Sequence, residues 1–157
     1  GWLRLLQRGN GKRGFVPWNA ILDVPIEPFV GWLDGRGACP GVHRILEVRL
    51  GTVDGVPFGF TDGAVMADGR LAFLACAEDT ADALDDGPVL GCRFGWLEAG
   101  DESAVMTPVV DGEGRPTHLK LEGIETRAGE PCVFDVVADV DSGEEPAQIA
   151  ELIVCEQ

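Results

Sequence analysis

Hydrophobic and polar positions alternate along most of this chain in short runs, and Gly, Pro and Asp separate the runs. That pattern predicts β-strands joined by turns. The clearest stretch runs from Thr61–Ala67 through an Asp68-Gly69 turn to Leu71–Ala77. An acidic loop from Glu78 to Gly87 then leads to Val89–Leu97, a turn at Gly100, and Ser103–Val110. Four successive antiparallel strands of this kind make one compact unit. Leu121–Arg127, Cys132–Ala138 and Ala147–Cys155 repeat the first three of them, and Trp2–Arg8, Asn19–Trp32 and Arg44–Leu50 supply three earlier pieces. Within the second of these, Ile26–Leu33 also fits a helical face through Phe29, Val30 and Leu33, so strand and helix both stay open there.

The repetition goes further than strand count. Phe60–Thr80 and Lys120–Val140 each carry an acid-Gly pair (Asp62-Gly63, Glu122-Gly123), an apolar segment, a Gly turn (Gly69, Gly129) and an apolar strand that ends in acids. A repeat at roughly sixty residues built of strand and turn marks a β array in which no unit buries its faces alone. The expected fold is all-β: a partial β-propeller of about two and a half to three four-stranded antiparallel blades, drawn from the C-terminal part of a ring of about six. The blade units are expected at 1–53, 54–115 and 116–157 of a single incomplete domain. An inner strand before Gly1 and an outer strand after Gln157 are expected from the remaining blades of the same protein. Without them the open edges are expected to make the chain self-associate.

Composition narrows the function more than the fold. The chain has 157 residues, 45% of them hydrophobic, with 22 glycines and a net charge of -15. Such a charge, with Lys12 and Lys120 as the two lysines, excludes a nucleic-acid surface, which needs clustered cations on one face. It suits a cationic ligand or a metal, and equally plain solubility. No apolar run reaches the length of a membrane span, and no basic-then-apolar leader opens the chain. The five cysteines, Cys39, Cys76, Cys92, Cys132 and Cys155, cannot all pair within one chain. Reduced core thiols in the cytoplasm are expected, with a periplasmic or secreted setting still open, although Cys76 with Cys92 and Cys132 with Cys155 could lie on neighbouring strands.

The runs Val53–Thr80, Asp86–Leu97 and Lys120–Glu125, together with Leu5–Gly11, resemble an uncharacterised bacterial β-propeller family that is distantly similar to the propellers labelled esterase-like activity of phytase. In such propellers the loops between second and third strands, and those entering the next blade, share one face of the ring. The resemblance implies that this face gathers Arg8, Asn10, Lys12 and Arg13, then Asp62, Glu78, Asp79 and Asp82, then His118, Glu122, Asp139 and Asp141.

On that face Arg8, Asn10, Asp62, Glu78, Asp79 and Glu122 are the expected ligand-binding residues. Asp62 and Glu122, equivalent in the repeat, are expected to point toward the central channel and, with Asp139, to hold Ca²⁺, which takes carboxylate and carbonyl oxygens. Against this stands the plainer role of acids that accept hydrogen bonds from backbone N–H groups at strand entrances. Asp139–Gly143 does not continue as a calcium loop, because Ala150 and Glu144 stand where Glu and Gly are needed. Ser103 and Ser142, the two serines, lie outside any G-x-S-x-G. His43 and His118 are far apart, and Cys39 with His43 lacks further zinc partners. The basic run Arg8–Arg13 suits an anion, or pairing with the acidic loops. Trp18, Trp32 and Trp96 are expected in the core between units.

The expected function is therefore a ligand-binding scaffold for a small or anionic ligand, with an acidic, calcium-capable central face. The alternative is a metal-assisted phosphoester or ester hydrolase in which the cation polarises substrate and water while Arg8 holds an anionic group.

Overall fold

The structure, a computed structural model, describes residues 1–9, 18–80, 87–98, 104–140 and 145–154. Among them the chain is mostly β, in four antiparallel sheets, with a single short helix. The first sheet joins β1 (Trp2–Gln7), β2 (Asn19–Pro25) and β3 (Arg44–Val48) in that order. A small hairpin of β4 (Thr52–Val53) and β5 (Val56–Pro57) follows, turning at Asp54 and Gly55, both with positive φ. The expected boundary at 53/54 falls at that turn. The second sheet has β6 (Gly59–Val65), β7 (Leu71–Glu78), β8 (Val89–Leu97) and β9 (Val105–Pro108), and the third has β10 (Lys120–Arg127), β11 (Glu130–Asp139) and β12 (Gln148–Ile153).

Ile26–Leu33 is helix α1. Pro25 at the N-cap and Pro28 in the first turn need no intrahelical N–H donor, and Glu27 lies favourably near the positive end of the helix dipole. None of the helix residues is buried.

The hydrophobic pattern of β7 explains how the sheets combine. Leu71–Ala77 is a continuous apolar run, and every residue in it is buried. Successive side chains of a strand point to opposite faces, so a run of this kind must be covered on both sides. Leu71, Phe73, Ala75 and Ala77 pack with Ile21, Leu46, Val48, Leu50, Phe58 and Phe60, toward the first sheet. Ala72, Leu74 and Cys76 pack with Leu121, Ile124, Phe134, Val136 and Ala138 of the third. The middle sheet is thus the centre of a three-sheet stack, with one hydrophobic core on each face. Aromatic pairs anchor both cores: Phe60 meets Phe73 edge-on at 5.1 Å, and Phe94 lies 4.9 Å from Phe134.

Two expectations about the core are corrected. Cys76 and Cys92, direct partners in the β7–β8 register, form a disulfide, and Cys39 and Cys132 are free and exposed, so the picture of uniformly buried reduced thiols does not hold. Cytoplasmic placement loses the support it took from that picture. Cys155 lies outside the described residues. Trp18 and Trp32 are exposed (59% and 39%), and only Trp96 of the three expected tryptophans packs against a core.

Candidate functional site

Antiparallel order brings the end of β1, the start of β6 and the end of β7 to the same end of the stack. Arg8, just past β1, forms an ion pair with Glu78, the last residue of β7. The Glu78 side chain is only 6% exposed and the Arg8 side chain 30%. Gly59, the first residue of β6, makes this arrangement possible, because a Cβ there would stand 3.0 Å from Arg8 Cγ. Asp79 follows as an exposed residue whose backbone N–H donates to Pro88 O at 3.0 Å. Asn10, Lys12, Arg13, Asp82 and Asp141 lie outside the described residues.

Beside Arg8 lies a buried polar clamp that the sequence pattern did not reveal. Asn19, at the start of β2 and 6% exposed, donates from Nδ2 to Phe58 O at 2.8 Å. Its Oδ1 accepts from Phe60 N at 3.2 Å and Gly9 N at 3.4 Å. One amide side chain therefore ties the first sheet to the entry of β6 and fixes the backbone that leads into Arg8. Buried amides are kept only where donor and acceptor are both satisfied. The signal available in sequence was a single polar residue opening an apolar strand, which turn chemistry explains equally well.

The carboxylates expected to converge do not. Asp62 on β6 faces β10, where its Oδ2 accepts a hydrogen bond from Ile124 N at 2.9 Å. This is the backbone role weighed against metal binding. Glu122 is exposed and pairs at 3.5 Å with the ammonium of Lys120, whose side chain is 6% exposed. Asp139 stands opposite Lys120 in the β10–β11 register. His118 is held beside β8 through Nδ1 and Val89 O at 2.9 Å. Among the described residues no group of three acid, His or Cys side chains is placed to hold a metal ion.

Register explains why Asp62 and Glu122 part company. In β6 the pairing with β7 jumps from Phe60↔Ala75 to Asp62↔Leu74, which leaves Thr61 as the extra residue. In β10 the jump runs from Leu121↔Ala138 to Gly123↔Val137, and the extra residue is Glu122. The two bulges make Thr61 the counterpart of Glu122, and Asp62 the counterpart of Gly123. Aligning the acid-Gly pairs is therefore wrong by one residue, and in a strand a one-residue slip moves a side chain to the opposite face.

The glycines of those pairs have separate uses. At Gly63 a Cβ would come within 3.0 Å of Leu6 Cδ2 and 3.1 Å of Ala72 O, so the glycine allows β1 to lie close against β6. At Gly123 the neighbour is Val137 Cβ at 3.3 Å, on the paired strand of its own sheet.

Searches of curated proteins and of solved structures found no match to the chain. A model of a family of unknown function, DUF6910, matches residues 1–143, and the chain belongs to that family.

Proposed function

We propose that this chain is a run of β-propeller blades and that the propeller is a ligand-binding scaffold, with the end of the stack that carries Arg8, Glu78 and Asp79 as its anion-facing site. The observation that carries the proposal is the middle sheet, covered on both faces by sheets of the same antiparallel build. A blade needs that burial pattern, since radial repetition stacks sheets face to face and leaves only short edges. Inner strands β6 and β10, bulged at equivalent places and joined by Asp62, support the same reading.

A binding role suits Arg8 for a physical reason. A guanidinium carries five N–H donors, and a nearly buried carboxylate fixes its position while part of the side chain stays in contact with solvent. A cation held in this way is pre-organised for a carboxylate or phosphate. The hydrolase alternative requires Asp62, Glu122 and Asp139 on a single cation, and their separate contacts give it no geometric support.

The test is thermal melting of the chain in inorganic phosphate and in citrate at constant ionic strength. Ligand bound only by the folded state raises the melting temperature. We expect a saturable rise in the wild type and none in Arg8→Gln. An equal rise in both proteins would remove Arg8 from the site, and turnover of a phosphoester or ester panel would overturn the scaffold reading in favour of an enzyme.

A further inference from the structure

The two interlayer gaps of the stack close differently at the end opposite Arg8. Between the first and middle sheets lies a cavity of about 10 Å³, lined by Ile21, Leu46, Leu71 and Leu97 together with the Arg4–Asp23 ion pair, whose Nε–Oδ1 distance is 2.9 Å. Between the middle and third sheets the corresponding space is an open cleft of about 720 Å³. Phe94 and Phe134 form its buried floor, and Trp96 and Cys132 are among its walls. Interiors normally hold few voids larger than a water molecule. A gap this large, walled mainly by apolar side chains, falls in the size range of small-molecule sites.

The shape has an identifiable cause. Near the β10–β11 turn the register jumps from Thr126↔Phe134 to Arg127↔Glu130, so Pro131, Cys132 and Val133 have no partner on β10. Pro131 and Cys132 line the cleft. Bulges of this kind re-aim strand ends beside functional sites. At the facing rim the Asp68-Gly69 turn holds Arg70, which donates from Nε to Asp68 Oδ2 at 2.8 Å and lies 5.7 Å over the Trp96 ring. The rim charge is therefore internally balanced, and the indole is held in place by a cation–π contact.

We propose that this cleft binds a small, uncharged, planar aromatic molecule that packs on Trp96 and covers Cys132. Aromatic and apolar walls supply the attraction, and the balanced Asp68–Arg70 pair selects against a net charge. The site is independent of the anion-facing end, from which it is separated by the length of β7, about 23 Å at the usual rise per strand residue.

N-phenyl-1-naphthylamine, a neutral fluorescent aromatic, is the probe, used on the whole chain. Iodoacetamide labelling read by peptide mass spectrometry follows Cys132 against the exposed Cys39 as internal control. Saturating probe should slow labelling of Cys132 at least fivefold and leave Cys39 unchanged. Thr107→Phe, which fills the cleft from an exposed wall position, and Trp96→Ala should each weaken probe binding at least tenfold; if Trp96→Ala fails to fold, Thr107→Phe carries the test alone. Three results would overturn the proposal: probe binding without protection of Cys132, binding unchanged in Thr107→Phe, or Cys132 unreactive before any probe is added, which would mean that the chain itself closes the cleft.

Discussion

β7 and β12 contain similar kinds of apolar residue, and they end in opposite environments. Every residue from Leu71 to Ala77 is buried, with Phe73 at 0% exposure, whereas Ile149 on β12 is 78% exposed and Ile153 61%. Their patterns differ as well, since β7 is apolar throughout Leu71–Ala77 and β12 is interrupted by Gln148 and Glu151, and each pattern goes with a different place in the stack. β7 is a central strand of a sheet with a neighbour on each face, and β12 is an edge strand of a sheet with one covered face. Leu152 and Val154 turn toward the middle sheet and pack there, while Ile149 and Ile153, of opposite parity, do not. The first sheet behaves in the same way: Ile21 and Leu46 are buried, and Ile45 is 67% exposed. In a stacked array the number of adjacent sheets, more than local hydrophobicity, sets burial and therefore energetic weight.

Substitutions at matched positions break or sharpen this contrast. Phe73→Ala should lower the free energy of unfolding by about 3–5 kcal/mol, as expected for a fully buried ring. Ile149→Ala should stay within about 0.5 kcal/mol. Urea denaturation measures both, and a large loss at Ile149 would show that the outer face of the third sheet is covered in solution. Next in size, Asn19→Ala strands Phe58 O and the N–H groups of Phe60 and Gly9, and the cost should be about 2–3 kcal/mol. A loss under 0.5 kcal/mol in the same assay would mean that water replaces the clamp.

A smaller effect separates two glycines. Gly63→Ala must displace Leu6 or the Ala72 carbonyl and should cost about 1–2 kcal/mol, by the usual penalty of overpacking. Gly91→Ala on β8 meets nothing within 4 Å and should be near neutral, within about 0.5 kcal/mol. Equal effects would place the Gly63 requirement in backbone flexibility instead of close approach.

The smallest effect concerns the exposed cluster on the open face of the third sheet. The hydrogen bond from Arg127 holds the Asp135 carboxyl below its ordinary value of 3.8, and Arg127 also donates to Glu151 Oε1 at 2.7 Å. The folded chain thus binds the Asp135 proton less tightly than the unfolded chain. Its contribution is complete above the ordinary value and disappears as pH falls through the lower folded one. The difference in melting temperature between wild type and Asp135→Asn should be small, constant at neutral pH and gone in strong acid. A difference that grows on acidification would reverse the sign of this linkage.

Several elements were legible from sequence because their causes are local. Alternation and the Asp68-Gly69 turn placed β6 and β7 within one or two residues of where they lie, and Gly69 does take a positive φ of 89°. The apolar run Leu71–Ala77 was read as a strand, and its burial on both faces came from the structure. The Arg8 region was expected either to meet an anion or to pair with an acidic loop; Arg8 does pair with Glu78, the anion reading is the one proposed above, and Asn10, Lys12 and Arg13 lie outside the described residues. What escaped the sequence depends on partners distant along the chain. Asn19 bonds to backbone groups about forty residues away. Trp18 and Trp32 look like core residues by type, but exposure follows from what packs over them.

The sequence by itself determined the strand class, the turns at Gly69 and Gly129 and the internal repeat, because propensity, alternation and turn chemistry act over a few neighbouring residues, while the turn expected at Gly100 lies outside the described residues. Only the tertiary structure decided which residues of the repeat are equivalent. One bulge residue in each of β6 and β10, Thr61 and Glu122, shifts the alignment by one and sends Asp62 to Ile124 instead of to a shared metal site. Pairing of β7 with β8 inside one sheet joined Cys76 to Cys92, and the stacking of the middle and third sheets opened the cleft beside Trp96. The physical reason is the two-residue period of a strand: a single inserted residue reverses which face a side chain occupies, and only the paired strand shows where the insertion falls.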